Sequence, residues 1–408
     1  MKTNSIIEQK TAEWIDIRRD IHAHPELRFE EIRTAGLVAD RLRALGLEVT
    51  EGVGKTGVVG LLRGHKSSTS THRKAIGLRA DMDALPIQEK NLFPHASTFK
   101  GKMHACGHDG HVAMLLGAAE VLATQKLHFE GDVVFIFQPA EEGGAGAQRM
   151  IEDGLFVRFP VDAVFAMHNW PGLPVGTFAV RKGPMMASSN EFELTIKGKG
   201  AHAAMPHLGI DPVPIACQII LAFQQLISRV RNPLDPAVIS VTQINAGDAI
   251  NVIPEFATLA GTVRTFKEET LDLIEAQMGQ IAQHLCASFG AQSDFSFNRR
   301  YPPLINDSGA TTFIQRVLVG LEGVDQVYDD LDPTMGAEDF AFMLKVKPGS
   351  YVWLGNGDGD HRAAGHGLGP CMLHNPSYDF NDEVLSLGVR AWVALGLEFL
   401  NGGAQKEQ

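Results

Sequence analysis

Short apolar runs alternate with helical patterns through the first part of the chain. Ala75–Ala80, Asp132–Gln138 and Val161–Met167 are apolar and β-rich, as buried parallel strands are. Gly110–Ala123, between the first two runs, has the pattern of a buried helix. Such alternation predicts an α/β fold with a mixed, mostly parallel sheet and helices on both faces. Ligands in such sheets bind at the carboxyl ends of the strands.

The pattern changes near residue 187, where half-exposed strands and longer helices begin. The predicted elements are Asn190–Lys197, Pro212–Val230, Ala237–Ile244, Phe256–Thr265, a helix with an apolar stripe from Leu271 to Leu285, and Ser293–Asn298. Their order is βαββαβ, the ferredoxin-like split-βαβ sandwich. The α/β pattern then resumes, which predicts an inserted domain at 187–298 within a catalytic domain formed by 1–186 and 299–408.

Length, charge and cysteine content narrow the class of protein. A chain of 408 residues is about right for two domains. The 36 basic and 48 acidic residues give a net charge of −12, which disfavours nucleic-acid or anionic-membrane partners. The chain has no unbroken apolar run of ~18 residues and no signal-peptide pattern. The four scattered cysteines fit no disulfide framework, so we expect a cytoplasmic protein.

Candidate metal ligands and acid–base groups follow the predicted strands. Cys106 and His108 flank a glycine just before the buried helix, and thiolate with imidazole suits a borderline-soft divalent metal. Glu141 and Glu142 follow the strand Asp132–Gln138, where adjacent carboxylates are costly unless ionic partners receive them. One could bind a metal while the other stays off it and moves a proton. A satisfied polar loop and a solvated acidic turn are the structural alternatives.

Two further histidines complete the candidate set. His168 ends the strand Val161–Met167, and His374 opens a turn. A single histidine at such a place is more often structural than a metal ligand. Together with Cys106, His108 and Glu142, however, they make five potential ligands, more than one tetrahedral zinc requires. Two metals that share a bridging ligand would use all five, and the Cys106 thiolate is the candidate bridge.

At these motifs the sequence resembles the di-metal aminoacylase and carboxypeptidase metallopeptidase family. Within it, the similarity is to hippurate hydrolases, N-acyl-amino-acid amidohydrolases and plant auxin-conjugate hydrolases. The matching stretches run nearly end to end in the family's order: RRDIHAHPELRFEE (18–31), GLRADMDALPI (77–87), MHACGHDGH (103–111), FQPAEEGG (137–144), MHNWP (167–171), GKGAHAAMPH (198–207), INVIPEFATLAGTVRTF (250–266), MGAEDFAF (335–342) and LHNPSYDFND (373–382). The resemblance implies a zinc-exopeptidase-like catalytic domain and an inserted lid domain that also dimerises.

The resemblance also implies roles for individual residues. The positions that match the metal ligands of this branch are Cys106, His108, Glu142, His168 and His374. Glu141 matches the general base. Asp81 stands where other branches have a metal-binding histidine, so we do not assign it as a ligand. Asp83 matches a carboxylate that orients a ligand, and an ordinary structural role is an equal alternative.

Three residues of the predicted inserted domain match substrate-contacting positions. His202 matches a histidine that reaches the scissile carbonyl oxygen, often across a dimer. Asn251 and Arg264 match positions that hold the free carboxylate of the substrate. The alternative for all three is an ordinary surface loop and strand. His24, Glu26, His111 and His207 are interpreted as structural.

The predicted function is metal-dependent hydrolysis of N-acyl-L-amino acids, hippurate-like or N-acetyl, to a carboxylate and a free amino acid. A metal-activated water would attack the amide, with Glu141 as general base and then acid. The cofactors would be two divalent ions per subunit, Zn or Mn before Co or Ni. A homodimer or homotetramer through the lid is expected. The alternatives are a di-metal dipeptidase or exopeptidase, a biosynthetic N-acetyl-amino-acid deacetylase, or a catalytically silent binding protein. The intact Glu141–Glu142 pair argues against the binding protein, which would not need the second carboxylate.

Overall fold

The structure, a computed structural model, describes residues 2–65, 73–357 and 364–402 of the chain. The chain divides into two compact units. The large unit comprises Met1–Gly183, Ile305–Asp332 and Phe342–Gln408, and the small unit comprises Pro184–Leu304 and Pro333–Ala341. The segment 187–298, predicted as an inserted domain, lies within the small unit. The addition of Pro333–Ala341 to that unit was not predicted.

The strands and helices of the described residues have the following bounds. The strands are β1 Glu48–Val53, β2 Gly57–Arg63, β3 Ala75–Asp81, β4 Asp132–Gln138, β5 Ala163–Trp170, β6 Thr177–Ala179, β7 Gly183–Met186, β8 Ser189–Lys197, β9 Ala201–His202, β10 Ala237–Ala246, β11 Val252–Ile253, β12 Phe256–Thr265, β13 Gln292–Tyr301, β14 Leu304–Asn306, β15 Gln326–Tyr328 and β16 Gly349–Gly355. The helices are α1 Lys2–Ala23, α2 Ile32–Ala44, α3 His108–Gln125, α4 Glu141–Gly144, α5 Gly146–Glu152, α6 Leu155–Arg158, α7 Pro212–Gln225, α8 Glu268–Ser288, α9 Ser308–Val319, α10 Ala341–Val346 and α11 Leu385–Leu400.

The large unit is built on a mixed sheet with the strand order β1-β2-β4-β3-β5-β16-β6-β15. Its centre is parallel, since β3 pairs in parallel with β4 and β5, and β5 with β16. These central strands are almost entirely buried, which explains why they read as continuous apolar runs. Helix α5 packs against β4 and α9 against β16. The predicted α/β fold is confirmed.

Helix α3 lies at the centre of the large unit. Its residues are buried on all sides through most of its length, and it packs against α1 and α11. A helix that is apolar all round belongs in a core, because no face of it has to meet water. Since α3 begins at His108, one candidate metal ligand stands at the start of a helix that is buried through most of its length.

The small unit is an antiparallel four-stranded sheet, ordered β10-β12-β8-β13, with α7 and α8 packed on it. The chain order of these elements is βαββαβ, as predicted. In its core, alternate residues of β8, such as Leu194, pack with residues from the inner faces of the two helices, such as Ile219 of α7 and Met278 of α8. The stretch Pro212–Val230 has the length and apolar composition of a membrane span, but its inner face, including Ile219, belongs to this core.

A buried arginine joins three parts of the large unit. Arg18 of α1 is fully buried, and its guanidinium donates to Asp382 at 2.8 Å, to Asp379 at 3.1 Å and to the Phe380 carbonyl at 3.1 Å. It also contacts the Asp109 carboxylate, at the start of α3, at 3.4 Å. Burial alone would lower the pKa of Arg18, but the surrounding carboxylates outweigh it and raise that pKa. Arg18 therefore carries its charge in the core and ties the 379–382 loop to α3.

We predict that Arg18→Leu lowers the free energy of unfolding by about 3–5 kcal/mol, because it leaves buried carboxylates without their cation. Arg19→Leu is the matched control, since Arg19 contacts the same Asp382 from a half-exposed position and should cost at most about 1 kcal/mol. Denaturant unfolding of both variants measures the difference. Equal losses would show that burial of the network is not what makes Arg18 important.

Candidate metal centre

The predicted metal ligands of the large unit meet at one edge of its sheet. They are Cys106 and His108 at the start of α3, Glu142 just after β4, His168 near the end of β5, and His374 in a turn that precedes α11. Because β4 and β5 both run parallel to β3, their carboxyl ends open on the same side. Glu141, the predicted general base, stands beside Glu142 at this edge and is buried.

The five side chains form two ligand groups that share one atom. The ligand atoms of Cys106, His108 and His168 lie within 4.8 Å of one another, and so do those of Cys106, Glu142 and His374. The Cys106 Sγ is 3.3 Å from His168 Nε2. His374 Nε2 is 3.1 Å from a Glu142 carboxylate oxygen. A sulfur that belongs to two three-residue groups could contribute to the binding of two divalent ions at once.

Backbone hydrogen bonds orient two of the histidines toward this centre. His108 Nδ1 donates to the Asp83 carbonyl at 2.8 Å, and His168 Nδ1 donates to the Asn169 carbonyl at 2.6 Å. A carbonyl only accepts, so in each ring Nδ1 carries a proton, and Nε2 is the nitrogen that presents its lone pair whenever it is deprotonated. The Nε2 of His108 is buried and makes no hydrogen bond in the described part of the chain. Metal-binding histidines are typically held in this way.

The pKa shifts at the site indicate that Cys106 and His108 are protonated when no metal is bound. Burial, together with the Glu142 and Glu141 carboxylates, raises the pKa of the Cys106 thiol well above its usual value. Burial lowers the pKa of His108, but Asp81 and Asp83 outweigh it and raise the pKa to about 10. A cation that binds here must therefore displace these protons and replace their charge. Burial holds the pKa of His168 well below its usual value, so this imidazole is already neutral.

Asp83 holds the loop that carries the two glutamates. Its carboxylate accepts from the backbone amides of Glu141 at 3.0 Å and Glu142 at 2.9 Å. The loop is bent at both ends, because Ala140 and Ala145 have left-handed backbones with φ of 54° and 53°. Such conformations cost of order 1–3 kcal/mol each for residues other than glycine. The bend turns the Glu141 and Glu142 side chains out from the end of β4 into the site.

Asp81 and His111 lie next to the ligand groups but are committed elsewhere. Asp81 accepts from His111 Nδ1 at 2.6 Å and from the Arg79 guanidinium at 2.7 Å. The other nitrogen of His111 accepts from the backbone amide of Asn169 at 3.0 Å. Both polar ends of this pair are therefore occupied by protein groups. Their bonds hold the end of β5, where His168 stands, although together with His108 these two residues also form a group whose ligand atoms lie within 4.8 Å of one another.

Asn169 is a structural residue of the site that sequence reasoning missed. Its side-chain amide donates to the Cys106 carbonyl at 2.7 Å, and its oxygen accepts from the Tyr378 hydroxyl at 2.6 Å. Gly107 has φ of 92°, and a Cβ there would lie 2.2 Å from the Asn169 amide nitrogen. Only glycine fits between the two ligands Cys106 and His108. Asn169 and Tyr378 both stand in the stretches that match the family, and this match was the sequence signal that could have identified them.

The small unit holds the three predicted substrate contacts in two separate places. His202 and Asn251 line a cavity of about 1050 Å³ beside the β9–β11 pair. His202 Nδ1 accepts from the Ala204 amide at 3.0 Å, so its Nε2 carries the proton in the neutral ring. Arg264 lies outside this cavity, near the far end of β12. It is six residues from Thr258, which lines the cavity, and that corresponds to roughly 20 Å of extended strand.

Comparison with known proteins identifies a matching family and similar enzymes of known activity. Residues 77–398 match peptidase family M20/M25/M40. N-acetylcysteine deacetylase of Bacillus subtilis is 39% identical over 384 residues, which cover 94% of this chain and 96% of that protein. Hippurate hydrolase of Campylobacter jejuni is 40% identical over 388 residues, which cover 95% and 97%.

A solved structure is similar over nearly the whole chain. The Bacillus subtilis YXEP protein, described as a dinuclear metal-binding peptidase of the M20 family, matches with a TM-score of 0.81 and 36% identity. The match covers 96% of this chain and 99% of that protein. With the two ligand groups that share Cys106, this similarity supports two divalent ions per chain.

We predict that Cys106→Ala weakens the binding of both ions, by at least about 100-fold in affinity, because the sulfur belongs to both ligand groups. Elemental analysis of protein dialysed against a weak chelator measures the metal content per chain. Cys217→Ala is the control, because Cys217 is an exposed cysteine on α7 in the small unit. Loss of only one ion from Cys106→Ala would contradict the shared position of the sulfur.

Proposed function

The chain belongs to peptidase family M20/M25/M40, and on that premise we propose how its metal centre cleaves N-acyl-L-amino acids, of the hippurate or N-acetyl type, to a carboxylate and a free amino acid. The protein is a metal-dependent amidohydrolase. The observation that carries the assignment of the site is the shared Cys106 of the two ligand groups, with a second carboxylate, Glu141, beside them.

Two divalent ions would occupy the two ligand groups. Cys106, His108 and His168 would hold one, and Cys106, Glu142 and His374 the other. When bound, the ions would polarise the amide carbonyl and lower the pKa of a water molecule toward ~7. Thiolate, imidazole and carboxylate donors suit Zn or Mn, with Co or Ni as alternatives.

Glu141 is the proposed general base and acid. Its carboxylate lies within 4.8 Å of ligand atoms of both His108 and Glu142, so it would stand close to a water activated by the ions while five other residues supply the proposed ligands. It would take the proton of the attacking water and then deliver it to the leaving amine. Asp83 supports this role, since its bond to the Glu141 amide fixes where the side chain begins.

His202, Asn251 and Arg264 are proposed to bind the substrate. The protonated Nε2 of His202 would donate to the developing oxyanion, a contribution of about 3–4 kcal/mol to the transition state. Asn251 and Arg264 would hold the free carboxylate of the amino acid. The strand length between the His202 cavity and Arg264 exceeds the span of one N-acyl amino acid. We therefore propose that Arg264 of one chain and the His202–Asn251 pair of the same chain serve two different active sites, so that His202 and Asn251 act across a dimer.

The second chain is proposed to pair through the small unit in a homodimer, with a homotetramer as the larger alternative. Strand β10 is an edge of its sheet, with exposed residues such as Ile244 along its second half. Leu221, on the outer face of α7, is 68% exposed. An unpaired edge beside exposed apolar side chains suits isologous pairing of two copies.

A reducing compartment is the proposed location. All four cysteines, Cys106, Cys217, Cys286 and Cys371, are free thiols in the structure. The site requires Cys106 as a thiolate, which oxidation would remove. We therefore propose that the enzyme works in the cytoplasm, where thiols are kept reduced.

We predict that the purified protein hydrolyses benzoyl-glycine or N-acetyl amino acids, that chelation abolishes the activity, and that Mn or Zn restores it, because the metal centre activates the water. Initial rates on these substrates and on unblocked dipeptides measure the preference. The family's peptidase members make an exopeptidase the second candidate, and dipeptides cleaved faster than any N-acyl amino acid would favour it. The absence of turnover at full metal content would instead favour a binding protein.

Two glutamate variants serve as matched controls within this test. Glu141→Gln should keep both ions and lose nearly all turnover, because it removes the proton acceptor and leaves the ligands in place. Glu142→Gln should lose metal. Loss of a general base usually lowers the rate far more than tenfold. The assigned role would therefore be wrong if Glu141→Gln retained more than about a tenth of the wild-type rate.

Mixing two inactive variants tests whether the active site is shared between chains. If His202 acts across the dimer, a hybrid of His202→Ala and Glu141→Gln chains contains one intact site. We predict recovery of about a quarter of wild-type activity after equimolar dissociation and reassembly, because half the dimers are hybrids with one working site of two. Each variant reassembled alone is the control. No recovery, although hybrids are detected, would show that His202 acts within its own chain.

A further inference from the structure

The segment 26–31 closes the matched stretch RRDIHAHPELRFEE, and its last residue, Glu31, has not yet been given a role. Leu27 pairs with Ala84, and the Ala84 amide donates to the Glu26 carbonyl at 2.8 Å. Arg28 donates to the Glu142 carbonyl at 3.2 Å. The segment therefore lies against both the loop that carries Asp83 and the loop that carries the two glutamates.

Glu31 makes the most direct of these contacts. It precedes α2, but its side chain makes no cap to that helix. The side chain is instead fully buried, where one carboxylate oxygen accepts from the Ala140 amide at 2.8 Å and the other from the Thr56 hydroxyl at 2.5 Å. A residue 109 positions away in the chain thus binds the backbone directly before Glu141.

Three consecutive amides of the glutamate loop are held by two buried carboxylates. The Ala140 amide donates to Glu31, and the Glu141 and Glu142 amides donate to Asp83. Ala140 is also the residue with the left-handed backbone at the start of the bend. A strained residue keeps such a conformation only where its surroundings enforce it. The Ala140 amide is the one of the three that Asp83 does not reach.

We propose that Glu31 is a positioning residue for the general base: it holds Ala140 in its left-handed conformation and so sets the direction from which the Glu141 carboxylate enters the metal centre. The inference rests on the proposed role of Glu141. It gives Glu31 no contact with the substrate or with either ion.

The cost of burying Glu31 argues that its role is geometric. Burial raises the pKa of Glu31 to about 7; the Thr56 hydroxyl opposes this shift and the Asp83 carboxylate adds to it. A carboxyl group whose pKa is higher in the folded than in the unfolded chain lowers the free energy of unfolding as the pH rises above the unfolded pKa of about 4.5. The full loss of stability is present above about pH 7. At pH 8 an uncharged glutamine should therefore be at least as well tolerated. Its oxygen can still accept from Ala140, while its amide group donates to Thr56.

The test compares Glu31→Ala with Glu31→Gln. We expect Glu31→Ala to lower kcat by about 10- to 100-fold, the usual effect of losing a residue that orients a site, with KM and metal content close to wild type. Glu31→Gln should restore most of kcat and be at least as stable as wild type at pH 8. If Glu31→Gln loses as much kcat as Glu31→Ala, the proposal is wrong, because the charge and not the bond to Ala140 would matter.

Glu26→Ala is the matched control. The Glu26 carboxylate also accepts two backbone amides, those of Arg33 and Thr34, both at 2.8 Å, but it does so at α2 and not at the glutamate loop. It should leave kcat near wild type, and an equal loss in both alanine variants would overturn the proposal. If Glu31→Ala does not fold, Thr56→Val replaces it, with a smaller fall in kcat expected. An unchanged kcat in that variant would also overturn the proposal.

A double variant separates this inference from the proposed function. Adding Glu31→Ala to Glu141→Gln should cause no further loss of kcat, because Glu31 acts through Glu141. Full activity in Glu31→Ala, while Glu141→Gln is inactive, refutes the positioning role and leaves the function standing. Turnover retained by Glu141→Gln refutes the general base itself.

Discussion

The bonds made by Asp83 are the interaction on which the rest of the metal centre depends. Its carboxylate holds the amides of Glu141 and Glu142, and its carbonyl accepts from His108 Nδ1. One residue thus sets the start of both glutamate side chains and the tautomer of one imidazole. Since parallel strands bring only the ends of the backbone together, such cross-links are what turn neighbouring strand ends into a site of defined geometry.

The surroundings of the site are held by buried charge as well as by apolar packing. Arg18 joins α1 to Asp109, which follows the proposed ligand His108, and to the loop at 379–382, which follows His374. A buried ion network contributes little net stability compared with an apolar core, but it allows few alternative arrangements once formed. In this protein it fixes two ligand-bearing segments that have no strand to hold them.

Local patterns predicted β3, β4, β5 and α3 of the large unit and the main elements of the small unit, because buried strands and the mostly apolar helix α3 carry their signal in consecutive residues. The proximity of the five predicted metal ligands could be anticipated as well, since these residues stand in the matched stretches and most of them follow predicted strands. The contacts of Glu31 and Asn169 could not, because their partners are 109 and 63 residues away and no spacing encodes such a pair. The inclusion of Pro333–Ala341 in the small unit escaped prediction for the same reason.

The polar groups that make the site reactive also make it costly in the absence of metal. Cys106 is a buried thiol among carboxylates, His108 holds a proton that a ligand must lose, and Ala140 keeps a strained backbone. Two divalent ions would relieve the first two of these costs, because they replace the protons and offset the negative charge. Ions that bind the folded chain alone also stabilise it by mass action. Metal content and folding stability are therefore linked in this protein. The ions do not relieve the backbone strain at Ala140, which the hydrogen bond to Glu31 has to maintain.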